Sequence, residues 1–323
     1  MVSLRGSAPT DHPPIGEFIT VDGTRLHYLE RGAGIPVVLL HGNGSMIADF
    51  LSSGIIERAA FGRRVIAFDR PGFGHSERPG GRVWTPSAQA SLLLRAFALL
   101  DIERPIVVGH SWGALVALAL ALMGPEKVAG LVLLSGYYYP TPRSDAMAIA
   151  QATAMLSTPV GPLMGRLMAA GAVRRVFAPC AVPERFNRAY SIPLALRPSQ
   201  VKAVREEAAM LMEAAGALSQ HYSELSVPVR LIAGSDDRIV ETDKHSARLH
   251  RQLGTSTFLR VPGGHMVHHA APEEVVAAIA AVGEARQGAT AARSPTRQGK
   301  PTRRRWLHIG DSSVEHRRDP ART

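Results

Sequence analysis

Cysteine is almost absent: Cys180 is alone in 323 residues, so an internal disulfide is excluded. The chain fits a reducing compartment. With no partner motif, Cys180 is expected to be a buried structural thiol. Long apolar runs are also missing. The longest, Ala114 to Met123, is too short to span a membrane and suits a buried helix. The segment Met1 to Gly16 has no apolar core, so it does not read as a secretory signal. These absences together predict a cytoplasmic protein with no membrane span. Internal repeats are absent too.

Acidic residues are outnumbered, and the formal net charge is +10. That value alone would invite nucleic acid, but its distribution argues against a specific nucleic-acid partner. Nine Lys/Arg and three Asp/Glu lie between Gln287 and Thr323, against 28 and 24 in all that precedes. The tail lacks hydrophobic periodicity and is rich in Pro, Arg, Thr and Gly. Residues 287–323 are therefore expected to be a solvated, disordered extension, and residues 1–16 a flexible N-terminus. The basic cluster Arg303-Arg304-Arg305-Trp306 is read as part of that tail.

What is present is an alternation of buried strands and helices. Asp22-Gly23 joins Glu17–Val21 to Thr24–Leu29 as a hairpin signal. Continuous apolar strands follow at 35–40, 64–69, 105–108 and 128–135. Helices are expected at 47–60 and 85–100, the latter with Thr85 as N-cap and Pro86 at its first position. Such strands imply a mostly parallel, doubly wound sheet covered on both faces, an α/β architecture. From residue 136 to 225 the rhythm stops. Prolines break short amphipathic pieces, and 199–219 reads as one longer helix. An insertion of about ninety residues between two strands is too long for a plain loop and predicts a helical subdomain. Strands return at 227–234 and 257–261, with helices at 242–253 and 272–286. The α/β core thus comprises 17–135 and 226–286.

The chemistry gathers at strand ends. Val107-Val108-Gly109-His110-Ser111-Trp112-Gly113-Ala114 reads as strand, tight turn and helix, with the form Gly-x-Ser-x-Gly. That turn holds a serine hydroxyl at a helix N-terminus, where a nucleophile and its oxyanion are favoured. Three further strand ends are polar or glycine-rich: His41-Gly42-Asn43-Gly44, Ser235-Asp236-Asp237-Arg238 and Pro262-Gly263-Gly264-His265. Ligands in such sheets sit beyond the carboxyl ends of the strands. The chain order is Ser, Asp, His. A serine hydroxyl needs a base, and a carboxylate fixes the tautomer of that base. Ser111 is the candidate nucleophile. Asp236 and Asp237 compete as the acid; His265, His268 and His269 compete as the base. The glycine pair before His265 favours His265.

These motifs, together with Asp69-Arg70-Pro71-Gly72-Phe73-Gly74-His75-Ser76, resemble the α/β-hydrolase fold superfamily, serine-nucleophile branch, from about residue 16 to 286. The resemblance implies an α/β-hydrolase fold, with 136–225 as the helical cap (lid). It places the acid three residues after the glycine ending the strand, which points to Asp237. It assigns the oxyanion hole to the backbone N–H groups of Asn43 and Trp112. His41, His110, His75 and Ser76 are expected to be structural. In the related dehalogenases an Asn and a Trp at matching positions hold halide, but those enzymes and the epoxide hydrolases use an aspartate nucleophile. Ser111 argues against both activities.

The implied enzyme is a carboxylesterase-like serine hydrolase with a Ser111–His265–Asp237 triad. It acts on a small-molecule substrate and requires no metal or organic cofactor. Carbon–carbon hydrolysis, cofactor-free perhydrolysis and acyl transfer use the same triad. A non-catalytic binding protein on this fold would show a broken triad. Met147, Met155, Met164, Met168, Phe177 and the Tyr137–Tyr139 run predict an apolar or aromatic substrate group, or else pack against one another. The sequence leaves the oligomeric state open.

Overall fold

The computed structural model describes residues 13–142 and 161–293, with the side chains of 161–167 and 286–293 left out. Met147, Met155, the side chain of Met164, and residues 1–12 and 294–323 lie outside the described residues.

Eight strands form one sheet in the order β1-β2-β4-β3-β5-β6-β7-β8. They are β1 (Glu17–Val21), β2 (Thr24–Arg31), β3 (Ile35–Leu40), β4 (Arg63–Phe68), β5 (Ile106–His110), β6 (Gly130–Leu134), β7 (Val229–Gly234) and β8 (Ser256–Val261). Only β2 runs antiparallel to its neighbours; the remaining pairings are parallel. The β1–β2 turn places Asp22 at φ 48° and Gly23 at φ 73°, the left-handed pair that matches strand twist. The central strands β5 and β6 are buried at every residue. Alternate side chains feed two cores. One contains Val107, Leu131 and Leu133, the other Val108, Val132 and Leu134.

Helices cover both faces. On one lie α3 (Pro86–Leu99) and α4 (Trp112–Met123); on the other lie α1 (Ile47–Ser53) and α2 (Ile55–Ala59). The second face also carries the helix that ends the described chain. α4 is buried from Trp112 to Ala121, which accounts for its unbroken apolar sequence. The expected single helix 47–60 is instead two. Gly54 takes φ 77° and returns its N–H to Leu51 O at 3.0 Å, a left-handed C-cap that ends α1. Thr85 caps α3, its hydroxyl accepting from Ala88 N–H at 3.1 Å. Thr85→Ala should lower unfolding free energy by about 1 kcal/mol in urea titration, with an unchanged m-value.

Between β6 and β7 the described chain is helical: α5 (Gly161–Phe177), α6 (Glu184–Ala189), α7 (Ile192–Ala195) and α8 (Pro198–Ser219). After β7 come α9 (Ser246–Gln252), α10 (Val267–Ala270) and α11 (Pro272–Arg293). α11 runs past the expected boundary at 286, because Ala-rich sequence without proline continues to Arg293. Cys180 is exposed, not buried, because it lies in the irregular segment between α5 and α6. The Tyr137–Tyr139 run packs into the main core against Tyr222 and His245 and forms no open entry. Among the described residues, no helix is long and apolar enough to cross a membrane.

Candidate active site

The elbow is built by close approach. A Cβ at Gly109 would lie 2.5 Å from Gly113 O, and one at Gly113 would lie 2.1 Å from Leu40 O. Only glycine lets β5 reverse into α4 while the β3 end passes over it. Ser111 is thereby held at φ 52° and ψ −116°, a backbone region that costs a non-glycine residue of order 1–3 kcal/mol. Its N–H is tied to Leu134 O at 2.9 Å, so the turn is anchored to the neighbouring strand. The Trp112 N–H begins α4 and belongs to the orphan donors of a helix N-terminus.

The loops after β7 and β8 meet beside the elbow. His265 Nδ1 lies 2.8 Å from Asp237 Oδ2, and both side chains are buried. The other carboxylate oxygen, Oδ1, accepts from Ile239 N–H at 2.8 Å and Val240 N–H at 2.9 Å. Burial alone would raise the Asp237 pKa. The His265 ring and these two N–H groups outweigh it and hold the carboxyl below its ordinary range. Asp236 points elsewhere, accepting from the Ser235 hydroxyl at 2.7 Å on the exposed surface. Of the two adjacent aspartates, Asp237 is therefore the one in contact with His265.

His110 joins elbow to base loop. Its Nε2–H donates to the His265 carbonyl at 3.1 Å, and the two rings lie 4.9 Å apart. His268 and His269 have Asp49, not Asp237, as their partner, and the His268 ring lies 4.5 Å from that of His110. Both bond Asp49 Oδ1, at 3.0 and 2.8 Å, while the Ser45 hydroxyl donates to Oδ2 at 2.8 Å. Burial would raise Asp49, but the two imidazoles hold it well below the usual carboxylate range. Asp49, His110 and His268 bring possible metal-ligating atoms within 4.8 Å of one another. Hydrogen bonds from His268, His269 and Ser45 already engage both Asp49 oxygens.

The loop after β3 carries Asn43. Arg70 N–H donates to His41 Nε2 at 2.9 Å, which leaves the proton on Nδ1. Nδ1–H donates to Gly42 O at 2.8 Å. Burial, then the Arg70 charge, pushes the His41 pKa down to about 3, so the ring is a neutral strut. The Asn43 side chain faces α8, its Nδ2–H donating to Val204 O at 3.1 Å. His75 and Ser76 hold the following turn: His75 N–H donates to Asp69 Oδ2 at 2.9 Å and the Ser76 hydroxyl to Asp69 O at 2.6 Å.

Three buried polar residues near the site escaped sequence reasoning: Asp49, Arg70 and Glu207. Arg70 stood within a recognised loop motif, but nothing marked its role. Glu207 sits in an ordinary helical charge pattern that carries no sign of burial. A cavity of about 430 Å³ lies among the inserted helices, lined by Val173, Arg174, Cys180, Phe186, Asn187 and Tyr190 among others. The Tyr190 hydroxyl donates to Gly44 O, which connects the cavity wall to the Asn43 loop.

A strained serine at a strand–helix elbow, a buried Asp–His pair on loops tied to that elbow through His110, and a mostly parallel sheet define the α/β-hydrolase class of fold. The profile described as alpha/beta hydrolase family matches residues 37–278, and the chain belongs to that family. Among curated relatives, a 2-hydroxymuconate semialdehyde hydrolase of a Pseudomonas species is 36% identical over 137 residues, 42% of this chain. That match spans about half (48%) of the relative's length. Haloalkane dehalogenase 2 of Mycobacterium bovis is 27% identical over 79% of this chain and 90% of its own. A thermophilic esterase from Thermogutta terrifontis superposes with TM-score 0.70 at 23% identity, covering 84% of this chain and 99% of that one. A meta-cleavage product hydrolase from Pseudomonas fluorescens gives 0.66 at 21%, covering 84% and 98%. At these identities the structural likeness speaks to the fold. The relatives are hydrolases of several kinds.

Proposed function

We propose that this hydrolase is a serine enzyme cleaving an ester-like bond of a small apolar or aromatic substrate through an acyl-enzyme. The observation that carries the reading is Ser111 at φ 52° and ψ −116° on the N-terminus of α4, next in sequence to His110, whose ring bonds the carbonyl of the Asp237-paired His265 at 3.1 Å. His265 Nε2 takes the Ser111 proton as Oγ bonds to the carbonyl carbon, and Asp237 holds the Nδ1–H tautomer. The Asn43 and Trp112 N–H groups stabilise the oxyanion. Collapse expels the leaving oxygen, which His265 protonates. Water then attacks the acyl carbon as His265 takes its proton, and Ser111 is released with the carboxylic acid. Residues 136–225 act as the lid of this site. The cavity among the inserted helices is lined by none of Ser111, Asp237, His265, Asn43 or Trp112, so it is not where the reacting carbonyl sits.

The 36% match to a semialdehyde hydrolase supports a second reading, carbon–carbon hydrolysis with the same triad. The dehalogenase relative supports neither. A serine at position 111 does not form the alkyl-ester intermediate of aspartate-based dehalogenation, and the Asn43 amide is engaged by Val204 O.

A fluorophosphonate probe should label folded protein once, and peptide mass mapping should find the adduct on Ser111. Nitrophenyl esters of graded chain length, run beside a vinylogous 1,5-diketone, rank the two bond types. No adduct on Ser111 sinks the serine-enzyme reading. Faster turnover of the diketone than of every ester replaces the ester reading with the carbon–carbon one.

A further inference from the structure

Gly42 O accepts three donors. They are His41 Nδ1–H at 2.8 Å, Arg70 Nη2–H at 3.0 Å and Ser45 N–H at 3.3 Å. This carbonyl and the Asn43 N–H belong to one peptide unit. The only cis peptide among the described residues is Ala178–Pro179, so the unit is trans and its C=O and N–H point in opposite directions. Fixing the carbonyl from one side therefore aims the Asn43 N–H to the other. The loop also packs on the elbow: a Cβ built on Gly42 would lie 3.1 Å from Ser111 Cβ. No acceptor among the described residues takes the Asn43 N–H.

Arg70 is an unusual strut. It is fully buried and uses its whole fork. Nε–H donates to His41 O at 2.7 Å, and Nη1–H donates to Gln89 Oε1 at 3.0 Å. Both terminal nitrogens bond Glu207, Nη2 to Oε2 at 3.0 Å. Glu207 is also fully buried and accepts from Gln89 Nε2–H at 3.0 Å. It lies on α8, in the insertion, 137 residues from Arg70. The same helix takes the Asn43 side chain at Val204 O. A buried ion pair adds little stability over apolar residues of the same volume, while a buried guanidinium without its counter-ion is strongly unfavourable. The pair thus fixes where the fork points.

We propose that Arg70, held by Glu207 of the inserted helix α8, is a positioning residue that orients the Gly42–Asn43 peptide so that its N–H faces the oxyanion. This rests on the serine-hydrolase reading above. Docking of the insertion thereby completes the oxyanion hole as well as covering the site. A stable lid needs only that α8 be anchored; it does not need the anchor to pass through the carbonyl of the oxyanion loop.

The double variant Arg70→Met/Glu207→Leu separates the two roles. Each single change strands a buried polar partner and should lower Tm. The double change removes both charges together and should restore much of it. If Arg70 positions the donor, the refolded double variant keeps KM within about threefold. Its kcat falls tenfold to a hundredfold, part of the roughly 10²–10³ that loss of a whole donor costs. Affinity for a trifluoromethyl ketone, whose adduct carries the oxyanion, falls by the same factor. If the pair merely holds the helix, kcat and ketone affinity return with Tm, and the proposal is overturned. A double variant that stays unfolded is replaced by Arg70→Lys, which keeps the charge opposite Glu207 but loses the fork. The same fall in kcat at unchanged KM supports the proposal; wild-type kcat overturns it. Wild-type protein that takes no fluorophosphonate on Ser111 overturns the serine-hydrolase reading and this inference with it. Wild type that labels while the double variant matches its rate overturns the inference alone.

Discussion

Ser111→Ala should lose ester turnover by about 10⁴-fold or more, and His265→Ala should lose as much, with the double variant no worse than either. The non-additivity is the informative part. Oγ is useful only while a base accepts its proton, and the base is useful only while Oγ presents one. In the proposed mechanism the oxyanion donors are backbone groups and survive both changes, so residual catalysis above the water reaction is expected. Stability moves in another direction. The elbow holds residue 111 at φ 52° whether it is serine or alanine, so the alanine variant keeps the strain. Ser111→Gly relieves it and should exceed Ser111→Ala by about 1–2 kcal/mol in unfolding free energy. Denaturant titration of the three proteins measures this. Equal stability of the glycine and alanine variants would show that the elbow stores no strain.

The sheet was legible in the sequence because its central strands are buried on both faces and so carry continuous apolar runs. The Asp22-Gly23 turn and the Thr85 cap were legible because each rests on local chemistry. Gly54 reads as part of one helix, since one glycine among helix formers gives no notice of a left-handed cap. Cys180 reads as buried from its residue type, but it is exposed in the irregular segment between α5 and α6. The proposed site divides in the same way. Ser111, Asp237, His265, Asn43 and Trp112 all sit at strand ends, where a parallel sheet gathers ligand-facing groups. Arg70 and Glu207 meet only through tertiary packing, and no spacing in the sequence foretells a contact across 137 residues. Buried charge is invisible in composition, because an Arg or a Glu on a helix is by default solvated.

Asp237→Asn should reduce kcat by about 10⁴-fold, while Asp236→Asn stays within a few-fold of wild type. The amide keeps the shape of the carboxylate but presents an N–H or a neutral oxygen to His265. The imidazole then loses both its fixed tautomer and the charge that supports its protonated form. Asp236 has no such contact, since the Ser235 hydroxyl is its partner. A reversed ranking would mean that the surface carboxylate, not the buried one, supports the base. Stability carries a pH signature with a definite sign. The Asp237 pKa is depressed in the folded state from an ordinary 3.8, so its ionised form stabilises the fold at neutral pH. That contribution is fully present above about pH 4–5 and is lost as pH falls through the folded-state value. Asp49 and Asp69 are buried and shifted in the same direction, so wild type should lose stability steeply on the acid side. Asp237→Asn removes one of these three groups. Its deficit against wild type, measured by urea unfolding, should therefore be largest near neutrality and shrink as the pH is lowered below 4. A deficit independent of pH would assign the loss to packing and take the ionised Asp237–His265 contact out of the folded state.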